Sequence, residues 1–148
     1  MISQLAIIIS PSLRSLTGIL LHDQNVFHGT LLENLSMGNK DISTEEIMNL
    51  SKLIGLDAFI QSLPNGLDTV LAPQGSKLTL KVKRNIALCR ALLGQHRLLL
   101  LESPFDHLTE KEEVEVLSYI KKNKKTTVIL TSSNNHLANK CEQEFILN

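Results

Sequence analysis

The stretch "NIALCRALLGQHRLLLLES" (residues 85–103) decides the fold class, because it joins a helical pattern to a buried strand through a short turn. In its first part, apolar residues at helical spacing place Ile86, Cys89 and Leu93 on one stripe. Gly94 ends that helix, and four consecutive leucines follow. An apolar run of this length is typical of a strand that is buried on both faces of a parallel sheet. The stretch therefore predicts an α/β protein.

Similar apolar runs recur along the chain and predict the other strands. They are short and bounded by polar or turn residues: "LAIII" (5–9), "GILL" (18–21), "LLLL" (98–101), "TTVIL" (126–130) and "FIL" (145–147). Helical patterns separate most of these runs, which favours parallel strands. The stretch from about 30 to 95 is mostly helical. The predicted architecture is a parallel sheet with a helical insert between its second and third strands.

Two capping boxes mark the starts of helices. Ser43 with Glu46 begins one helix, which Gly55 ends, and Thr109 with Glu112 begins another. The predicted apolar face of the second helix consists of Val114, Leu117 and Ile120.

The composition excludes several classes of function. The 148 residues carry 15 basic and 15 acidic side chains, which argues against nucleic-acid binding driven by net charge. Aromatic residues make up 3% and leave few platforms on which bases could stack. The two cysteines and five histidines form no metal-binding spacing, and no apolar run approaches the roughly 18 residues of a membrane span. We expect a chain without a metal site, located in the cytoplasm or peripherally at the cytoplasmic face of a membrane.

Three stretches carry a family resemblance, and they occur in the family's order. They are "LRSLTGILLHDQNVFHGTLLENL" (13–35), "DAFIQSLPNGLDTVLAPQGSKLT" (57–79) and the stretch 85–103. Together they resemble the nucleotide-binding domain of ATP-binding-cassette (ABC) transporters, in the exporter branch. The segments "LPNGLDT" (63–69) and "ALCRALL" (87–93) are the most specific matches, and the likeness covers roughly residues 12 to 148.

The resemblance implies a fold, cofactors and partners. The fold is a partial RecA-like sheet of the P-loop NTPase type, formed by residues 1–25 and 96–148, with a helical subdomain at 26–95. The implied cofactors are ATP and Mg²⁺. The implied partners are a second nucleotide-binding domain and the transmembrane domain of an exporter.

The phosphate-binding loop of the family is missing from these 148 residues, which contain no G-x-x-x-x-G-K-[ST] stretch. In the family, its strand lies between those that correspond here to Thr126–Leu130 and Phe145–Leu147. We therefore expect a gap in the sheet, filled by a strand-donating partner, by self-association, or internally by residues 5–9. We also expect that this chain alone binds no ATP or Mg²⁺.

Four positions that handle metal and water in the family are altered or isolated here. The resemblance places the family's glutamine on His22 and its aspartate at the end of the strand on Leu101. The catalytic glutamate position is kept as Glu102, and the histidine position falls on Ser133. Leucine offers no oxygen to a hydrated metal ion, so Glu102 is interpreted as a vestigial catalytic residue. An ordinary loop histidine is the alternative interpretation of His22.

The signature segment LSGGQ of the family, which holds a partner's phosphate at a helix N-terminus, is also altered. It falls on Leu78, Thr79, Leu80, Lys81 and Val82. Thr79 keeps the hydroxyl and, with Ser76 nearby, is the candidate for contacting a nucleotide in trans. Lys81 is either a phosphate ligand or a solvated lysine. The aspartate that follows the catalytic glutamate by six positions in the family falls on Leu108, close to Asp106.

Three functional hypotheses follow. The first is a truncated or degenerate ABC exporter domain. The second is a non-catalytic protein-interaction module that reuses the scaffold. The third is a half-site partner that completes a nucleotide site in trans. The first is the preferred interpretation.

Overall fold

The structure is a computed structural model that describes residues 15–122, 125–132 and 140–141. Its strands are β1 (Thr17–Leu20), β2 (Gly29–Thr30), β3 (Val70–Leu71), β4 (Leu98–Glu102) and β5 (Thr127–Thr131). Its helices are α1 (Leu31–Ser36), α2 (Thr44–Leu53), α3 (Asp57–Ser62), α4 (Leu80–Leu92) and α5 (Glu110–Lys122). Two short 3₁₀ turns, Gly66–Asp68 and Pro73–Gly75, precede α4.

The main sheet is parallel, with the order β1-β4-β5. Leu99 of β4 is in register with Gly18 on one side and with Val128 on the other. The predicted α/β class is thus confirmed, as are the strands predicted at 18–21, 98–101 and 126–130, each to within one residue. The runs at 5–9 and 145–147 lie outside the described residues.

A small two-stranded antiparallel sheet was missed in the stretch predicted to be mostly helical. Strands β2 and β3 pair antiparallel over two residues each, with Gly29 opposite Leu71 and Thr30 opposite Val70. The backbone N–H of Leu31 also donates to the carbonyl oxygen of Thr69, at 2.9 Å. Strands of two residues are too short to show an alternating apolar pattern, so periodicity could not predict them.

Helix α4 lies directly on β1. A Cβ atom at Gly18 would overlap the carbonyl oxygen of Ala91 and the side chains of Leu99 and His96. The helix is buried along most of its length and joins the sheet and α1–α3 in one apolar core. Cys89 is buried there, as predicted, and burial raises the pKa of its thiol to about 12.

Both predicted capping boxes are present. The backbone N–H of Glu46 donates to Ser43 Oγ at 3.2 Å, and that of Glu112 donates to Thr109 Oγ1 at 3.3 Å. The first helix is followed by Gly55 with a positive φ of 69°, as its sequence predicts.

The predicted apolar face of α5 is wrong at one position, since Val114 is 52% exposed. The buried face instead consists of Glu113, Val116, Leu117 and Ile120. At about 100° per residue, a spacing of three residues leaves Val114 roughly 60° beyond Leu117 and off that face. Among the described residues, no helix is both long and apolar enough to cross a membrane.

Candidate functional site

The carboxyl ends of β1 and β4 bring two of the predicted site residues together. Glu102 is the last residue of β4, and His22 follows β1 by two residues. The backbone N–H of His22 donates to Glu102 Oε2 at 2.8 Å, across 80 residues of sequence. The carboxyl edge of a parallel sheet is where open α/β proteins bind their ligands. The two residues therefore define the candidate site.

Leu101, immediately before Glu102, contributes nothing to this edge. Successive side chains of a strand point to opposite faces, and the side chain of Leu101 is 2% exposed in the apolar core. It is in register with Leu20 of β1 and Leu130 of β5. The site therefore has no oxygen ligand from this position.

Arg84 of α4 completes the contact between the two strands' ends. Its Nη2 lies 3.2 Å from Nδ1 and 3.1 Å from Nε2 of the His22 imidazole. The guanidinium can only donate hydrogen bonds. The contact turns the His22 side chain towards α4.

A cavity of about 470 Å³ opens beside these residues. Helix α4 lines it with Leu80, Lys83, Arg84 and Ala87. Their spacing of i, i+3, i+4 and i+7 is that of one helix face, so the sequence could have grouped the two cations on one face but not placed that face at the cavity. The predictions missed Lys83 and Arg84 because they considered only the apolar face of that helix.

His107 lines the same cavity and is the second residue that the predictions missed. Both of its ring nitrogens are buried and have no hydrogen-bond partner. Burial, with the positive charges of Arg84 and Lys81, lowers the pKa of His107 to about 4. Its imidazole is therefore neutral at physiological pH.

The altered signature segment lies outside the lining of this cavity, apart from Leu80. Thr79 is the N-cap of α4, and its Oγ1 accepts a hydrogen bond from the backbone N–H of Val82 at 3.3 Å. Ser76 is exposed and ends a 3₁₀ turn. Lys81 is not among the residues that line the cavity, and its Nζ lies 3.6 Å from Glu112 Oε1.

Of two further family positions, one can be placed and one cannot. Leu108 is half-buried against the core, so no carboxylate occupies that position, and the neighbouring Asp106 is exposed. Ser133 lies outside the described residues.

Arg90 and Asn34 hold the loop that carries His22, and neither was predicted as a site residue. Asn34 is fully buried; it accepts from the backbone N–H of Phe27 at 3.0 Å and donates to the carbonyl oxygen of Thr30 at 2.9 Å. Arg90 donates to both oxygens of Asn34 and to the carbonyl oxygen of Asn25, and its guanidinium lies 5.4 Å from the Phe27 ring centre. The loop is thus fastened to α1 and α4.

The described residues form no closed metal site of their own. Within residues 15–122, 125–132 and 140–141, no cluster of three or more acidic, histidine or cysteine side chains could hold a metal ion. The carboxylates that line the cavity are Glu102, which accepts a hydrogen bond from the backbone of His22, and Asp23. In proteins, Mg²⁺ is usually bound by one or two carboxylates together with substrate phosphates and water.

The sheet order, the capped helix α4 and the glutamate at the end of β4 are consistent with an ABC-type nucleotide-binding domain. The comparisons with known proteins agree: this chain is a homologue of the ATP-binding proteins of ABC transporters, in their exporter branch.

Two relatives and one solved structure illustrate this. Multidrug resistance protein 1 of Plasmodium falciparum is 36% identical over 101 residues, which are 68% of this chain and 7% of that protein. The uncharacterized ABC transporter ATP-binding protein YfiB of Bacillus subtilis is 35% identical over 119 residues, 80% of this chain and 21% of YfiB. The structure of a bacterial Atm1-family ABC exporter with ATP bound matches 80% of this chain and 21% of its own, with a TM-score of 0.66 and 28% identity.

The match is limited in two respects. The chain spans about 7% and 21% of the lengths of these two curated relatives. No protein-family model matches it.

Proposed function

We propose that this chain is a degenerate ABC exporter domain that, by itself, neither binds ATP tightly nor hydrolyses it. The observation that carries the proposal is the environment of Glu102 at the end of β4. Glu102 keeps the position of the family's catalytic glutamate, but its carboxylate accepts a hydrogen bond from the backbone N–H of His22. The adjacent Leu101 is buried in the core. A glutamate without a metal ligand beside it lacks the partners that phosphoryl transfer requires.

The replacements around Glu102 support the same proposal. Where the family has a glutamine that contacts magnesium and water, His22 contacts Arg84 instead. Groups that stabilise the transition state typically contribute about 3 kcal/mol each, and several are replaced here. We therefore infer that the rate of ATP hydrolysis by this chain falls to background.

The proposal includes a division of the chain. Residues 1–25 and 96–148 would form a partial RecA-like core, and residues 26–95 a helical subdomain. The position of α1–α3 between β1 and β4 supports this division, although α4 packs on β1 as well as on α1.

The partners and location are proposed from the relatives. Because those relatives are named as transporter ATP-binding proteins and an exporter, we propose that this chain works with a second nucleotide-binding domain or an exporter's transmembrane domain. Its place would then be the cytoplasmic face of the membrane. ATP and Mg²⁺ would be bound, if at all, mainly by such a partner.

A half-site role in trans is the second candidate, and Thr79 favours it. This exposed threonine caps the N-terminus of the 13-residue helix α4, at the family's position for a serine that contacts a partner's nucleotide. Leu80, 68% exposed, stands where the family has a glycine and adds bulk at the place of close approach. The second candidate is therefore the weaker one.

Hydrolysis of ATP by the purified 148-residue chain tests the proposal. We expect no Mg²⁺-dependent release of phosphate above background. The matched variants are Glu102→Gln and Glu115→Gln, the latter at a partly exposed glutamate on α5. Turnover that disappears in the first variant and persists in the second would show that Glu102 is catalytic and that the proposal is wrong.

A further inference from the structure

Glu112 lies where three segments of the chain meet. It is in the first turn of α5, its carboxylate contacts Gly55 at the end of α2, and its Oε1 lies 3.6 Å from Nζ of Lys81 at the start of α4. Its side chain is 17% exposed, whereas that of Lys81 is 48% exposed. The three segments are separated by more than 25 residues in sequence, so this is a tertiary junction.

The carboxylate of Glu112 is held from two sides. The backbone N–H of Thr109 donates to Oε2 at 2.7 Å, while Lys81 approaches Oε1. Burial alone would raise the pKa of Glu112, but the hydrogen bonds from Thr109 and the charge of Lys81 outweigh it and lower this pKa. The carboxylate is therefore ionised and positioned.

Gly55 is shaped to receive this carboxylate. A Cβ atom at Gly55 would overlap Oε1 of Glu112, and the φ of 69° at Gly55 also disfavours other residues. The same turn is joined to α4 by a second contact, because Asn85 Nδ2 donates to the carbonyl oxygen of Ile54 at 2.7 Å. Asn85 is buried, so this hydrogen bond is shielded from water.

We propose that Lys81, Glu112 and Gly55 form a clamp that holds the altered signature segment in a fixed position against α2 and α5. Lys81 stands where the family has a glycine of the signature segment, and its ammonium is engaged within its own chain. The ion pair with Glu112 adds a further interpretation of Lys81, as a residue that joins α4 to α5, beside the solvated lysine and the phosphate ligand. The clamp does not rest on the proposed function, since it requires no statement about nucleotide.

Hydrogen exchange of the backbone amides at the start of α4 tests the clamp. The variants are Lys81→Met, Glu112→Gln and the double variant; glutamine keeps the shape and the capping acceptor of Glu112. We expect each single variant to speed exchange about two- to fivefold, because a partly exposed ion pair contributes up to roughly 1 kcal/mol. The double variant should add little to either single one, since both remove the same contact.

The control is the ion pair Lys111–Glu115, which has the same chemistry on the same helix but joins no other segment. Lys111→Met with Glu115→Gln should leave exchange in α4 unchanged. Three results would each overturn the clamp. In the first, the single variants have no effect on exchange. In the second, the double variant Lys81→Met/Glu112→Gln shows the sum of the two single effects, and in the third, the control pair has an equal effect.

A glycine variant gives an independent readout. Gly55→Ala should displace the Glu112 carboxylate and speed exchange in α4, about 25 residues further along the chain. Gly38→Ala is the matched control, because Gly38 also has a positive φ, of 76°, but has open space around it. If the two alanine variants affect α4 equally, the clamp is wrong.

Discussion

At the residue scale, the candidate site carries nitrogen groups beside Glu102. His22 contacts Arg84, and His107 lines the same cavity without a hydrogen-bond partner for its ring nitrogens. Burial lowers the pKa of His107 to about 4, so the site depends on pH through this imidazole.

The titration of His107 gives a prediction for stability. In the unfolded chain its pKa is near 6.5, and in the folded chain burial lowers it to about 4, so the unfolded state binds more protons between these values. The stabilising effect of neutral His107 is present above about pH 6.5 and is lost as the pH falls towards 4. The free energy of unfolding, measured by urea titration at a series of pH values, should therefore fall across this window.

Two variants separate His107 from the other groups that titrate there. His107→Gln should flatten the pH dependence by up to one proton, whereas His28→Gln, at an exposed histidine, should leave it as it is. An unchanged slope in His107→Gln would contradict the assignment.

At the element scale, the site depends on the close packing of α4 on β1. This contact positions Arg84 and Arg90 over the loop that follows β1, and Gly18 is the residue that permits it.

Gly18→Ala should destabilise the chain by about 1–3 kcal/mol, because the added methyl overlaps the backbone of α4 at Ala91 and forces the helix away from the strand. Thermal or urea unfolding measures this. The control Gly38→Ala adds a methyl at a positive φ with no neighbour, and it should have a smaller effect. Equal losses in the two variants would mean that close packing at Gly18 is unimportant.

The same scale shows what the sequence could predict. Strands and capped helices were predictable because apolar runs and capping boxes are local signals, as at Leu98–Leu101 and Ser43. Two contacts could not be predicted: that of Arg84 with His22, 62 residues away, and that of Lys81 with Glu112, 31 residues away. Both depend on how α4 lies on its neighbours. Val114 was wrongly assigned to the buried face because residues three apart on a helix differ by about 60° in direction.

At the scale of the whole molecule, β5 is an edge strand of the described sheet. Among the described strands it pairs with β4 alone, and Ile129 is 56% exposed while Val128 and Leu130 are half-buried. An exposed apolar strand edge promotes pairing with other chains.

We therefore expect the purified chain to self-associate or to need a strand-donating partner. Size-exclusion chromatography with light scattering measures the mass in solution, and calorimetry measures melting. The variant Ile129→Lys should reduce association. The surface control Lys122→Ala should leave association unchanged. A monodisperse wild-type monomer that melts cooperatively above about 55 °C would contradict this expectation.

The central claim is that this homologue of exporter ATP-binding proteins no longer holds a nucleotide by itself. Titration of the purified chain with Mg-ATP in a calorimeter tests that claim most directly. The account predicts a dissociation constant weaker than about 1 mM, which corresponds to about 4 kcal/mol of binding free energy. Micromolar binding that is weakened by Thr79→Ala would favour the half-site role, and micromolar binding of any origin would contradict the account.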